Sequence, residues 1–363
     1  LRIICTVTND LSHDQRMHRI CGSLQAAGHT VTLVGRVLPN SPPLTPRPYQ
    51  QHRISCRTLR GKRFYVEYNL RLWGQLRRWD FDVICAADLD TLPAGVILAG
   101  ISRKLVYDAH EWFSETPEVY HRPLVRGFWR GLGRALVPFT DARYTVGPKL
   151  AEALEKDYGR PFEVIRNLPQ KQADSFSENT GGVILYQGML NPGRGLEQAI
   201  GALPLLPDCR LWIVGSGPER GRLEALAERE GVADRVWFAG FRPPEELPEL
   251  TKQSWLGLNL LEGSSPSYYY SLANKSLDYL QAGLPSVQMD YPEYRALHER
   301  YHCFVLLEEL TAPALAARIR QLWDAPAAYD QLRENCRAAA RELCWEREEA
   351  RLLAIYAALE ERG

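Results

Sequence analysis

The stretch SYYYSLANKSLDYLQAGLPSV, Ser267–Val287, reads as loop, helix and strand in succession. A polar, aromatic loop gives way to a helix opening with Asn274, Lys275 and Asp278, and Gly283-Leu284-Pro285 leads into a strand. Such a loop leaves the first-turn N–H groups of the helix free to face an anion, and a phosphate suits them. Lys275 adds a full positive charge there. Asp278, three residues on, shares roughly the same helical face and is suited to accept from vicinal hydroxyls such as those of a ribose. Diphosphate and ribose together make a nucleotide. The alternative is an ordinary helix whose Lys and Asp are solvated.

Outward from this segment the chain alternates strands and helices, the mark of parallel sheets. The first half predicts strands at Ile3–Thr8, Val31–Val34, Val83–Ala87 and Lys104–Tyr107. Between the first two, a capping box of Ser12 and Gln15 opens a helix with Met17, Ile20, Cys21 and Leu24 inward, ended by Gly28. Pro39–Pro48 reads as a surface loop. The second half predicts strands at Val183–Tyr186, Leu211–Val214, Val236–Ala239, Leu256–Leu260, Ser286–Met289 and Phe304–Leu307. The expected organisation is α/β: two Rossmann-like, doubly wound domains at 1–168 and 183–340, facing a cleft. A polar linker over 169–182 joins them, and a C-terminal helix in 341–363 packs back on the first. Ligands of such folds bind beyond the carboxyl ends of the strands.

A chain of 363 residues can build both cores. No apolar run reaches the ~20 residues of a membrane span; the longest, Leu92–Ile101, contains Pro93 and Gly95. The start, Leu1–Val7, reads as a strand and not as a signal peptide. The eight cysteines form no Cys-x-x-Cys pair, which points to reduced core residues of a cytoplasmic protein and away from zinc. Residues 1–170 hold 24 Lys+Arg against 16 Asp+Glu, a net +8; because the totals are equal at 44, the remainder carries −8. A basic half suits an anionic surface. No nucleic-acid reading motif accompanies it, so nucleic acid is not an expected partner.

Three further segments leave strands as glycine-rich turns. Tyr186–Gly195 (YQGMLNPGRG) offers a flexible backbone and Arg194, whose guanidinium suits a phosphate. Val214–Glu219 (VGSGPE) is a strand-to-helix turn, and Gly240-Phe241-Arg242 ends the next strand. With the Ser267–Val287 segment, these resemble the motifs of the retaining glycosyltransferases of family 4, which have the two-domain GT-B fold. The family pattern is Glu-x7-Glu followed by an Ala-x-Gly-x-Pro-Val type ending. Asp278 stands at the second Glu and Tyr270 at the first, a departure; the segment is closer to a subgroup whose members build bacterial surface polysaccharides. The resemblance implies a donor site comprising Gly188, Arg194, Gly195, Gly215, Gly240, Phe241, Tyr270, Ser271, Leu272, Asn274, Lys275 and Asp278. A family Arg is replaced by Gly188, and Lys275 is the candidate to supply the missing charge.

In the first half, Tyr107–Phe113 (YDAHEWF) follows a strand, and His110 matches the family histidine at the sugar site. His110 is expected to hydrogen-bond the transferred sugar or its acceptor, the alternative being a structural histidine. Glu111 and Glu115 would orient the acceptor or cap the next turn. Asp14 and Arg16 would line the acceptor side or begin a solvated helix. Asp88-Leu89-Asp90 is not read as a metal site, because Asp90 or Thr91 suits the N-cap of a helix starting at Leu92-Pro93. In residues 121–141, Arg122, Arg126, Arg130 and Arg134 recur every four residues beside Phe128, Trp129 and Leu132. The pattern suits a helix lying on an anionic membrane surface, or a domain helix with an Arg-covered solvent face.

The resemblance thus implies transfer of a sugar, with retention, from a nucleoside-diphosphate donor to a cell-envelope glycan or lipid-linked precursor. His110, Arg194 and Lys275 are the expected catalytic residues. No metal and no cofactor beyond the co-substrate are expected. The enzyme would be cytoplasmic, peripheral to the membrane. A nucleotide-sugar epimerase or hydrolase of the same fold, and a catalytically silent binding protein, stay open as alternatives.

Overall fold

A computed structural model of the chain describes residues 1–171 and 181–361, so most of the expected linker lies outside the described residues. The chain forms two compact units: residues 1–167 with 348–363, and residues 168–347.

The first unit carries β1 (Arg2–Thr6), β2 (Thr30–Val37), β3 (Gln50–Ser55), β4 (Val83–Ala87), β5 (Lys104–Ala109), β6 (Ala142–Thr145) and β7 (Glu163–Val164). They pair in parallel in the order β3-β2-β1-β4-β5-β6-β7. Its helices are α1 (Gln15–Ala26), α2 (Gly61–Leu76), α3 (Leu92–Ala99), α4 (Pro117–Tyr120), α5 (Pro123–Leu136) and α6 (Pro148–Tyr158). The central strands are buried on both faces, which is why β4 reads Val-Ile-Cys-Ala-Ala without polar alternation. β3 and β6, absent from the sequence expectation, are edge-side strands with polar content: Gln50, Gln51, His52 and Arg53 in one, Arg143 in the other.

In the second unit the strands are β8 (Val183–Gln187), β9 (Arg210–Val214), β10 (Val236–Gly240), β11 (Leu256–Asn259), β12 (Ser286–Met289) and β13 (Phe304–Leu307). They form a parallel sheet in the order β10-β9-β8-β11-β12-β13. The helices are α7 (Leu196–Ala202), α8 (Arg220–Arg229), α9 (Leu247–Lys252), α10 (Pro266–Tyr269), α11 (Asn274–Gln281), α12 (Pro292–Tyr301), α13 (Ala312–Trp323), α14 (Pro326–Glu342) and α15 (Trp345–Glu361). From Glu348 onward α15 belongs to the first unit, where Leu352 and Tyr356 are fully buried and Glu349 accepts from Ser23.

The strand order reverses between β1 and β4 in one sheet and between β8 and β11 in the other. Loops diverge at such a switch point, so the segments following these strands form a ready-made crevice within each unit. Among the described residues no helix is long and apolar enough to cross a membrane.

Several local expectations are corrected. Helix α1 is capped by Asp14, whose carboxylate accepts from the Met17 amide at 3.0 Å, and not by a Ser12–Gln15 box. Neither Asp90 nor Thr91 caps α3: Asn69, from α2, accepts from the Ala94 amide at 2.9 Å, while the Thr91 hydroxyl turns back to the Ala87 carbonyl. Part of the expected loop before α11 is itself a short helix, α10, capped by Ser265. In α5, Arg126 pairs with both oxygens of buried Glu115, and Arg130 and Arg134 converge on Asp157. All three arginines of α5 therefore pair with carboxylates of their own unit, and Arg122 precedes the helix.

Candidate functional site

In the second unit, the loops leaving β8, β9 and β10 are joined through glycines. Gly188 has φ +141° and donates its amide to Val214; Gly215 has φ +151° and donates to Gly240. A side chain at Gly215 would collide with the Gly188 carbonyl, one at Gly217 with the Leu190 backbone, and one at Gly195 with Leu260. These glycines seat one loop on another: the Cβ position at Gly195 is filled by Leu260 and that at Gly215 by the Gly188 carbonyl.

Lys275 lies in the first turn of α11, whose N-cap residue, Ala273, offers no side-chain cap. Its ammonium sits 3.8 Å from the centre of the Tyr186 ring and 3.2 Å from where a Cβ at position 188 would stand. The cation thus occupies the space of the side chain that Gly188 lacks. Arg194 lies over the Tyr268 ring, and its buried Nε has no partner. Neither cation has a carboxylate partner among the described residues. Burial, then the nearby Arg194 guanidinium, hold the Lys275 ammonium well below the ordinary lysine range. Two like charges held together without an anion form a site suited to one.

Asp278 is half-buried and accepts from Gln187 Nε2 at 3.4 Å, while Gln187 Oε1 accepts from Thr251. Gln187 and Tyr186 were not singled out from the sequence, where they appear only as the apolar-to-polar end of a strand. Beneath α11, Tyr279 threads its hydroxyl between the Gln187 amide and the Leu185 carbonyl, over a gap left by Gly257. Tyr270 packs edge-on to Tyr269 and Ser271 caps back to Tyr268, while Asn274 and Phe241 are exposed. Leu272 is a correction: its side chain is buried in the core with Leu277, Leu280 and Phe304, so it cannot face a donor.

In the first unit a chain of alternating charges follows β1, β4 and β5. Arg16 and Asp108, 4% and 0% exposed, form a two-point pair at 3.1 and 2.6 Å, and Arg16 also donates to the Ile165 carbonyl. Asp108 Oδ2 contacts His110 Nε2 at 3.0 Å, and His110 Nδ1 lies 3.5 Å from Asp88. Burial alone would raise Asp108, but Arg16 and His110 hold it down to about 2. Burial opposes protonation of His110 as well; Asp108 and Asp88 prevail and raise it to about 10. Asp88 adopts a left-handed backbone, φ +60°, and takes the His110 amide on Oδ1. Asp90 accepts from Thr8 on one oxygen while the other is buried without a partner; burial and Asp88 push it up to about 7. Among the described residues no cluster of three or more His, Cys, Asp or Glu side chains is placed to hold a metal ion.

This overturns the expectations for Arg16 and Glu115 and shows what Asp14 holds. Arg16 is neither acceptor-facing nor a solvated helix start, because Asp108 draws it into the core. Both oxygens of Asp14 are taken, by the Met17 amide and by Asn9. Glu115 is buried against Arg126 and orients no acceptor, whereas Glu111 is exposed. Both ring nitrogens of His110 face carboxylates of its own unit.

Comparison with known proteins agrees with this architecture. Residues 15–168 match the family described as Glycosyltransferase Family 4, and residues 169–343 match Glycosyl transferases group 1. The lipopolysaccharide core biosynthesis glycosyltransferase LpsD of Rhizobium meliloti is 29% identical over 191 residues, 50% of this chain and 53% of that protein. The chain spans about half the length, or less, of the curated relatives it matches. Sucrose-phosphate synthase from Thermosynechococcus elongatus superimposes with a TM-score of 0.84 at 18% identity, over 100% of both chains. HepE of Anabaena, solved in complex with UDP-glucose, gives 0.75 at 16% identity over 98% and 99% of the two chains. Two parallel doubly wound units with these loop positions, matched by both family descriptions from residue 15 to residue 343, place the chain in the family 4-like glycosyltransferases of the GT-B fold.

Proposed function

We propose that the protein transfers a sugar from a nucleoside-diphosphate donor to a cell-envelope glycan or lipid-linked precursor, with retention of configuration. The observation that carries this reading is the pair Arg194 and Lys275, two cations without a carboxylate partner among the described residues, beside an uncapped helix N-terminus. A diphosphate satisfies all three groups at once. UDP-glucose bound to HepE and the lipopolysaccharide role of LpsD support the donor and acceptor classes.

On this reading the second unit grips the leaving diphosphate, and charge that develops there as the sugar departs is stabilised by groups already in place. The acceptor oxygen bonds to the anomeric carbon on the face the diphosphate leaves, and a leaving-group oxygen takes the acceptor proton. Arg194 and Lys275 supply the positive charge, so the transfer needs no metal. The first unit, with His110 and Glu111, serves the acceptor. Eight free thiols support a cytoplasmic location. Tyr270 at the position of a family Glu favours one second reading, a protein that binds the nucleotide sugar without turning it over.

Calorimetry with UDP, ADP and GDP tests the site. Arg194→Ala and Lys275→Ala each lose a charge-assisted contact worth about 1.5–3 kcal/mol, so affinity for the accepted diphosphate falls roughly ten- to hundredfold. Unchanged affinity in both variants removes the diphosphate site.

A further inference from the structure

The first turn of α11 is held from beneath by polar side chains that see no solvent. Residues alternate across a strand, so Gly257 and Asn259 of β11 share one face with their neighbours Ser286 and Gln288 of β12. Helix α11 packs on that face, with Tyr279 over Gly257 and Ser276 on Gln288. Asn259, Ser276, Ser286, Gln288 and Tyr294 are each 0 or 1% exposed. Gln288 is the hub. Its Oε1 accepts from Asn259 Nδ2 at 2.8 Å and from the Ser276 hydroxyl at 2.7 Å, and its Nε2 donates to the Ser286 hydroxyl at 2.8 Å. From α12, the Tyr294 hydroxyl accepts from the Ala273 amide at 3.0 Å, with its ring among Leu272, Leu277 and Phe304. Ser276 is the third residue of α11 and Ala273 immediately precedes the helix. The two tethers therefore bracket Asn274 and Lys275.

Stability does not call for this polarity. Apolar side chains of like shape would fill the same space without desolvating amides and hydroxyls, and Asn259 Oδ1 is buried there without a partner. What a buried, directional network adds is a fixed geometry. Here the element fixed is the turn that carries Lys275, whose ammonium lies over the Tyr186 ring in the space beside Gly188. We propose that Gln288 and Tyr294 are positioning residues of the diphosphate site. Gln288 through Ser276, and Tyr294 through Ala273, set where the first-turn amides and the Lys275 ammonium meet the diphosphate. Both are fully buried and act only through those contacts. Asp278, assigned to the ribose, lies three residues past Lys275 and beyond both tethers, so the grip on the diphosphate depends on the network more than the grip on the nucleoside does. The proposal rests on the reading of Arg194 and Lys275 as a diphosphate site.

The test compares two affinities of the whole chain. One is for whichever of UDP, ADP and GDP the wild type accepts, by calorimetry; the other is for the matching nucleoside, by ligand-observed NMR. Tyr294→Phe keeps the ring and removes one tether. Asn259→Leu, Ser276→Ala, Ser286→Ala and Gln288→Met together remove the other tether and leave none of its partners unpaired. Each variant binds the diphosphate about tenfold more weakly and the nucleoside as the wild type does. The loss shrinks in a Lys275→Ala background, because the turn then has no cation left to place. Circular dichroism checks that the fold is retained; where the fourfold variant does not fold, Tyr294→Phe decides. Equal losses for diphosphate and nucleoside, or losses that add fully to that of Lys275→Ala, overturn the proposal. If Lys275→Ala weakens the diphosphate while the network variants bind it like the wild type, the positioning role fails and the diphosphate site stands. If Arg194→Ala and Lys275→Ala both leave the affinity unchanged, the site itself falls and the positioning role with it.

Discussion

Replacing Asp108 by Asn removes the charge that holds Arg16 and His110 together. The Arg16 guanidinium, 4% exposed, then keeps only the Ile165 carbonyl and a neutral amide. Breaking one side of such a buried pair costs about 3–5 kcal/mol, chiefly because a cation is left uncompensated away from water. Domains are stable by roughly 5–15 kcal/mol, so the first unit should lose about a fifth of its stability or more. The two units need not unfold together, and a single unfolding curve would blur the effect. Hydrogen exchange resolves it: peptides from β1 and β4 should exchange faster by that free energy, while peptides from β8 and β11 serve as an internal control. Arg16→Met combined with Asp108→Leu should cost less than Asp108→Asn alone, since no buried charge remains. The same variant should move His110. Its folded value, about 10, lies above the unfolded value of 6.5, so its stabilisation is complete below 6.5 and lost as pH rises through 10. With Asp108 gone only Asp88 remains, and the imidazole titration followed by NMR should shift down toward neutrality. A loss below about 1 kcal/mol, or an unmoved imidazole, would refute the reading of this cluster as a chain of dependent charges.

Asn69→Ala should cost about 0.5–2 kcal/mol by uncapping α3 from a neighbouring helix, read as faster exchange at the Ala94 amide. Asp278→Ala should weaken the free nucleoside as much as the nucleoside diphosphate, because its contact is assigned to the ribose; a loss confined to the diphosphate would contradict that assignment. Transfer should survive EDTA, and restoration by magnesium or manganese after inactivation would show that the two cations do not suffice. His110→Ala should lower turnover more than donor-nucleotide affinity, and normal turnover would leave the imidazole a purely structural bridge.

The parallel sheets were legible because buried strands such as Val83–Ala87, and Val183–Gln187 up to its last residue, leave apolar runs bounded by turn residues. Strand β3 was not, since an edge strand reading Gln-Gln-His-Arg-Ile-Ser carries no such signal. Arg194 was legible as a cation in the loop after a strand, Lys275 as one in the first turn of a helix, and Gly188 as a missing side chain; that Lys275 occupies the space Gly188 leaves required coordinates. Arg16 shows the limit most plainly. Beside Asp14 it looks like a solvated helix start, and only Asp108, 92 residues away, decides that it is core. Leu272 failed in the opposite direction, because a residue inside a ligand-binding motif can still point inward. Helix α2 was passed over altogether, its inward stripe of Phe64, Tyr68, Leu72 and Leu76 blurred by the exposed Val66 and Leu70 between them.

The interlocked glycines bear on how such a protein can be re-engineered or diversify. Gly188 and Gly215 rest backbone on backbone, Gly217 fits against Leu190, and Gly195 against Leu260. These close contacts leave little slack at the glycines, so a change in one loop must be matched in the loop it rests on. A chimera that grafts only the loop after β8 from a relative would meet the resident loop after β9 as an obstacle, whereas exchange of both together would keep their contact. On the proposed reading, a designed change of nucleotide preference is best placed in side chains that border the interlock, such as Tyr186, Met189 and Phe241, leaving the interlock itself unchanged.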